Sequence, residues 1–320
     1  MKNNFLSTKV KTLLTGQKKT WELLRNNYEQ LSQVKVRTFT FHDFKIEIQF
    51  NPGRIISSSA KVDKRSIQAR KCFLCIEKLP EVQQKLAFGK DYLILCNPYP
   101  IFREHFTIPK LNHIPQEIKG NFEAMLDISK ELDALTVFYN GPECGASAPD
   151  HFHFQAGNKF FMPVENEYEN LKQKAGKAWF INETISVYGI KDYLRKFVSL
   201  ESNNKSSLLK TFNLIYAELE TKAPSGQEPL LNILASFHDE RWRIIIFPRS
   251  KHRPSQYFNK GTKNILISPA AVDMGGVFII PQEKDFNKIT KENIIDIFRQ
   301  ISVSDRYFKD LKTAVQKRII

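Results

Sequence analysis

The period of the apolar positions changes several times along the chain, and each change predicts an element. Across residues 5–32, Leu13, Leu14, Trp21, Leu24 and Leu31 recur at helical spacing, which predicts an amphipathic helix. Residues 36–50 alternate instead. Phe39 and Phe41 precede His42-Asp43, and Phe44, Ile46, Ile48 and Phe50 follow it, a hairpin whose turn is His-Asp, with His42 a turn residue only. Asn51-Pro-Gly-Arg54 ends the second strand as a turn, and Ser57 to Arg70 is a polar, basic surface loop. Further on, the pattern predicts strands at Tyr92–Cys96, His105–Lys110 and Leu135–Tyr139, with a helix over Glu117–Asp133. Residues 165–178 and 193–200 read as helices, 179–187 as a strand, and the polar run Glu201–Ser207 as a linker, followed by a helix to about Thr221. Leu230–Phe247 reads as two strands joined by His238-Asp-Glu240. Thr290–Ile301 is a helix with Thr290 as N-cap and Asn293 completing an imperfect capping box.

One stretch carries chemistry: Asn140-Gly-Pro-Glu-Cys-Gly-Ala-Ser-Ala-Pro-Asp-His-Phe-His-Phe-Gln-Ala-Gly157, a Gly/Pro-rich turn running into an alternating strand. Side chains alternate faces in a strand, so His151, His153 and Gln155 share one face while Phe152 and Phe154 enter the core behind. An imidazole beside such a loop can attack phosphorus, and the loop N–H groups can hold phosphate oxygens. The bland alternative is a histidine pair on a solvated strand. Gln155 at the next same-face position and the loop in front weigh against it.

Composition narrows the class. A chain of 320 residues, 42% hydrophobic with 25 Phe, can bury one large or two moderate cores. No apolar run is long enough to span a bilayer, and the basic N-terminus lacks a signal peptide's apolar segment, so the expectation is a cytoplasmic protein without a membrane partner. The net charge of +14 suits nucleic acid or a polyanionic small substrate. Lys and Arg are dispersed rather than clustered, which favours the small substrate. Cys72-x-x-Cys75 in such a chain suggests a metal first and a redox pair second.

The motif His151-Phe-His153-Phe-Gln155 resembles that of the transferase branch of the histidine-triad superfamily, where Gln replaces the third His. That branch includes galactose-1-phosphate uridylyltransferases, diadenosine tetraphosphate phosphorylases and GDP-hexose phosphorylases. The resemblance implies that His153 is the nucleophile that takes a nucleoside monophosphate and that Gln155 bonds a non-bridging phosphate oxygen. Asn140, Gly141, Gly145 and Ser147 would surround the phosphoryl group, with Arg54, Lys110 and Lys284 as basic phosphate contacts. "QFNPGR" and the segment from Asn264 to Phe286 look like regions of GDP-hexose phosphorylases, and His105…His113 around "IPK" looks like a histidine-triad strand. Zinc-bearing members imply a ligand set of Cys72, Cys75, His113 and His151, a structural zinc site.

The chain also departs from these families. The spacer in H-x-H is Phe152 and not the Pro of uridylyltransferases, whereas the Cys pair is more like theirs. Pro149-Asp150 matches no familiar motif, and Ser147 lies one residue further from His153 than the uridylyltransferase serine would. "FTIPKLNH" and "IIIFPRSKH" echo each other, and Ser268 to Ile280 occupies the place of a second, histidine-free H-x-H strand. The expected fold class is α+β: antiparallel sheets with packed helices in two related HIT-like halves, residues 1–200 catalytic and 208–320 degenerate. The expected activity is transfer of a nucleotide from a GDP-hexose-like substrate to phosphate through His153. A diadenosine tetraphosphate phosphorylase and a silent nucleotide- or RNA-binding protein are the alternatives.

Overall fold

A computed structural model describes residues 5–55, 59 and 62–319. Its strands are β1 (Lys35–Thr40), β2 (Lys45–Phe50), β3 (Lys85–Phe88), β4 (Tyr92–Cys96), β5 (His105–Pro109), β6 (Leu135–Asn140) and β7 (His153–Asn158), followed by β8 (Gly176–Ile181), β9 (Ser186–Ile190), β10 (Phe197–Ser202), β11 (Leu231–His238), β12 (Arg241–Pro248) and β13 (Val277–Ile280). Ten of them form one antiparallel sheet in the order β3-β4-β5-β7-β6-β11-β12-β10-β9-β8. A second sheet, β1-β2-β13, carries the expected hairpin with β13 added in parallel.

The strand order contains a duplication. β3-β4-β5, the helix Phe122–Glu131 and β6-β7 make one unit, and β8-β9-β10, the helix Lys205–Glu220 and β11-β12 repeat it. The units meet where Phe138 of β6 pairs with Leu234 of β11. The two equivalent helices touch through Phe122 and Phe212, whose rings stack 3.7 Å apart. The fold is thus α+β, as expected, and it holds two related units, residues 85–158 and 176–248, the second beginning ahead of the expected boundary between 200 and 208. The echo between halves is placed differently: the second copy of the motif strand is β12, not the segment 268–280. Phe138 pairs with Gln155 and Leu234 with Ile245, so Arg243 and Arg241 hold the register positions of His153 and His151. Residues 268–280 instead form a short helix, Ala271–Gly275, and β13.

Both faces of the large sheet are covered, which is why its central strands read as continuous apolar runs. On one face lie the helices Phe5–Thr20, Glu22–Gln30, Phe122–Glu131, Lys205–Glu220 and Asp305–Ile319; on the other lie the small sheet and the helices Pro163–Lys174, Ala271–Gly275 and Lys291–Ile301. The expected single N-terminal helix is broken at Trp21, which adopts an extended conformation and turns its ring inward. Residues 193–200 enter a strand, because Val198, Ser199 and Leu200 find ladder partners on both β9 and β12. The run Glu201–Ser207 is the end of β10 plus a helix start, with Asn204 Oδ1 accepting Ser207 N–H at 2.9 Å. Part of the expected loop 57–70 is a helix, Lys64–Ala69; its residues 57, 58, 60 and 61 lie outside the described residues. The Thr290–Asn293 capping box forms as expected. No helix among the described residues is long and apolar enough to cross a membrane.

Candidate active site

The motif strand is held by its apolar face. Phe152 and Phe154 stand edge to face at 4.9 Å and pack beside Tyr92 and Tyr139 in the helix-side core. Burying two such rings contributes on the order of 1.5–3 kcal/mol each, and it fixes which side chains face the other way. His153 and Gln155 line a cavity of about 570 Å³ on that other face. Gln116 clamps the strand further: its Oε1 accepts His153 N–H at 2.7 Å, and its Nε2 donates to His153 O and Asn140 O at 2.9 and 3.0 Å.

Nδ1 of His153 lies 2.9 Å from His151 O. A carbonyl only accepts, so Nδ1 carries the proton and Nε2 keeps its lone pair. Nε2 has no partner among the described residues. Burial lowers the pKa of His153 to about 4, so its ring is neutral at physiological pH.

Gln155 is oriented by a residue to which the motif assigns no role. Ile101 N–H donates to Nδ1 of the buried His105 at 3.1 Å, which leaves the proton on Nε2. That Nε2 donates to Gln155 Oε1 at 3.1 Å, so the amide NH₂ of Gln155 is turned away and free to donate. Burial, helped by Arg54, lowers the pKa of His105 to about 3 and keeps this relay uncharged. Period-two counting on β5 could have found it, since His105 and Thr107 stand opposite Gly157 and Gln155. Gly157 is part of the arrangement: a Cβ there would fall 2.4 Å from the Phe102 ring, which packs edge-on to His105 at 5.2 Å.

The loop ahead of the motif is shaped by Gly145, at φ +95°, where a Cβ would meet Ala270 Cβ at 2.5 Å. Asn140 ties its base down, Oδ1 accepting Ala271 N–H at 2.7 Å and Asn232 Nδ2 at 3.1 Å. The N–H groups of Gly145, Ala146 and Ser147 have no partner among the described residues, nor has the Ser147 hydroxyl, and all three residues line the cavity. Gly141 packs against Leu231 O and is not part of the lining.

Arg54 reaches the cavity, its Nη1 donating to Tyr99 O at 2.7 Å and its Nε buried without a partner. Burial lowers its pKa to about 10 and Asp273 opposes this, so it stays charged. Two other expected phosphate contacts lie elsewhere. Lys110 Nζ donates to Asn121 Oδ1 at 2.9 Å, above the Tyr92 ring, and Lys284 is exposed on the helix Glu283–Lys288. Instead the cavity takes Arg70, and from the C-terminal half His252, Arg253, Ser268 and Asp273. Arg253 Nε donates to Ser268 Oγ at 2.9 Å, and its guanidinium stacks 4.1 Å above Tyr257. Nothing in their spacing marks these residues, because the tertiary closure of the cavity brings them in.

Cys72, Cys75, His113 and His151 converge beside the cavity, their ligand atoms all within 4.8 Å of one another. Cys72 Sγ and Cys75 Sγ lie 3.3 and 3.6 Å from His151 Nδ1, and Cys75 Sγ lies 3.1 Å from His113 Nδ1. Neighbouring S and N ligands of one tetrahedral ion would stand about 3.5 Å apart. His151 Nε2 donates to Lys110 O at 2.7 Å, which turns Nδ1 towards the thiols, and His113 Nε2 faces Asp150 Oδ2 at 3.8 Å. Arg70 in turn holds Asp150 at 2.5 Å. The four residues can hold a metal ion.

Residues 13–158 match the family described as a domain of unknown function (DUF4922), and residues 167–319 match the family described as GDPGP1-like, C-terminal domain. No curated protein matches the chain. Among solved structures, the yeast Ap4A phosphorylase Apa2 in complex with AMP is similar over 92% of this chain and 96% of its own, at 16% identity and a TM-score of 0.59. A uridylyltransferase covers 72% of this chain and 86% of its own at 14% identity (TM-score 0.40), and a Bacillus cereus DUF4931 family protein 60% and 96% at 16% identity (TM-score 0.38). The fold is the one seen in the yeast Ap4A phosphorylase.

Proposed function

We propose that the chain is a nucleotidyltransferase of the phosphorylase type, working through a covalent His153–nucleotide intermediate. The observation that carries this is the unprotonated, unpartnered Nε2 of His153 on a cavity that also holds the free N–H groups of residues 145–147. Nε2 attacks the α-phosphorus of the donor, a P–N bond forms, and the P–O bond to the leaving group breaks. As positive charge grows on the ring, the His151 carbonyl holds its Nδ1–H. The loop N–H groups, the Ser147 hydroxyl and the turned-out amide of Gln155 meet the negative charge on the phosphoryl oxygens, and Arg54 adds a fixed cation. A phosphate oxygen of the acceptor then attacks, the P–N bond breaks, and His153 is restored, which gives ping-pong kinetics.

We read the Cys72, Cys75, His113 and His151 set as a zinc site. Four protein ligands leave no open position, so the ion's contribution is structural. It would anchor His151, whose carbonyl orients His153.

The donor we favour is a nucleoside diphosphate hexose, supported by the GDPGP1-like C-terminal match and by the "QFNPGR" turn that brings in Arg54. A diadenosine tetraphosphate phosphorylase activity is the second reading, supported by a fold shared with the yeast Ap4A phosphorylase along nearly the whole chain. Intact mass after brief incubation with GDP-mannose, GDP-glucose, UDP-glucose or diadenosine tetraphosphate, each without phosphate, separates them. The expected result is a gain of one nucleoside monophosphate with a single donor class, absent in His153→Ala. A protein that binds nucleotide yet forms no adduct with any donor would leave only a binding role.

A further inference from the structure

The nucleotide reading leaves open how the base is recognised, and one buried amide bears on it. Gln155, Thr107 and Leu95 form a single cross-strand row from β7 over β5 to β4, and all three line the cavity. Two strand spacings make this row about 10 Å long, the reach of a nucleoside 5′-phosphate from its phosphorus to its base. The lining also includes the apolar Trp21, Leu74, Leu79 and Pro80, side chains of the kind that take an aromatic ring, and the row ends at Leu95 beside Cys96. Gln83 stands in this end, only 7% exposed. Its Nε2 donates to Cys96 O at 3.2 Å, an acceptor that settles which way the amide points. Oε1 is therefore the atom left over, and it has no partner among the described residues.

We infer that Gln83 reads the edge of a purine base, its Oε1 accepting an N–H from the ring or its exocyclic amine. This rests on the nucleotide reading of the cavity. A near-buried acceptor in apolar surroundings discriminates strongly, because an analogue without the donor leaves it unsatisfied.

The test is calorimetric titration of the full chain with AMP, GMP, UMP and purine riboside 5′-monophosphate, whose base has neither an exocyclic amine nor a ring N–H. In the unmodified protein the better of AMP and GMP should bind at least about tenfold more tightly than purine riboside 5′-monophosphate. In Gln83→Met that ratio should fall to within about twofold, with purine riboside 5′-monophosphate bound as before. Gln83→Leu serves if Gln83→Met does not fold. A ratio that survives either folded variant, equal binding of all the purines, or a preference for UMP would overturn the inference. No binding of any of the four would overturn the nucleotide reading itself, a different failure from an unchanged ratio.

Discussion

The two five-strand units share one topology and differ in a single hairpin. In the second unit, β11 and β12 are joined by Asp239 and Glu240, both at positive φ (49° and 57°), the tight turn that a twisted hairpin prefers. In the first unit the same connection is the loop 141–152 that walls the cavity. Where the first unit has His153, the second has Arg243, tied to Glu169 and Glu201 and stacked 3.9 Å above Tyr168. Where the first has Gln155, the second has the buried Ile245. The scaffold alone therefore makes no site. A site needs the hairpin opened into a loop with free N–H groups, and a strand whose outward positions are polar and aimed. The second unit contributes by closing the cavity through its C-terminal extension.

The most severe way to break this comparison is to exchange its key positions for Ala. His153→Ala should abolish adduct formation and lower turnover by at least about 10⁴-fold, as removal of a covalent nucleophile does. Arg243→Ala should leave turnover within about twofold and lower stability by about 1 kcal/mol, since its ion pairs are partly exposed. Equal losses of turnover in the two variants, measured beside thermal melts, would refute the assignment of chemistry to one unit.

Metal removal ranks next. Elemental analysis should find one zinc per chain, and Cys75→Ala should lose it. Because the ion would act on His153 only through the His151 carbonyl, turnover of a still-folded Cys75→Ala should fall about 10- to 100-fold and not vanish. Full activity in a zinc-free protein would remove the ion from the reading.

The orientation relay has no counterpart in the second unit, where Phe197 occupies the position of His105. His105→Phe therefore copies the second unit into the first. Turnover should fall about tenfold or more in His105→Phe and in Gln155→Ala alike, and the double variant should be no worse than Gln155→Ala. Additive losses in that cycle would mean that His105 acts by some route other than Gln155.

Much of this was legible in the sequence, for a physical reason. The motif strand, its two-faced alternation and the Cys72/Cys75 pair depend on local spacing, His113 and His151 joined that pair through the resemblance, and the helix cap at Thr290 depends on neighbouring residues. What stayed hidden is tertiary. Phe197–Ser202 carries helix-compatible residues but is drawn into a ladder with partners on both sides. β3 is a short edge strand with little pattern to see. Lys110 follows a strand residue by one place, and only the packing shows its amine bonded to Asn121. A duplication was expected, yet from an echo that aligned β5 with β12; the pairing of Phe138 with Leu234 makes β10 the counterpart of β5 and β12 that of β7.

The smallest expected effect on turnover lies at the seam between the units. Glu228, just before β11, accepts Ile118 N–H and meets Tyr139 Oη of β6 at 2.7 Å. Burial raises its pKa from an ordinary 4.5 to about 8. The folded chain thus keeps a proton there that the unfolded chain releases above pH 4.5. The stabilisation is fully present below pH 4.5 and is lost as pH rises towards 8, by up to about 1.4 kcal/mol per pH unit inside that window. A neutral amide fits the same place, since Nε2–H can donate to the Tyr139 oxygen while Tyr139 O–H donates to Gln116 O, now 3.1 Å away. Glu228→Gln should therefore be about as stable as the unmodified chain near pH 5 and more stable at pH 8, with turnover retained. Urea melts of both proteins at the two pH values measure this directly. Parallel pH slopes would show that the Glu228 carboxyl does not hold its proton in the fold.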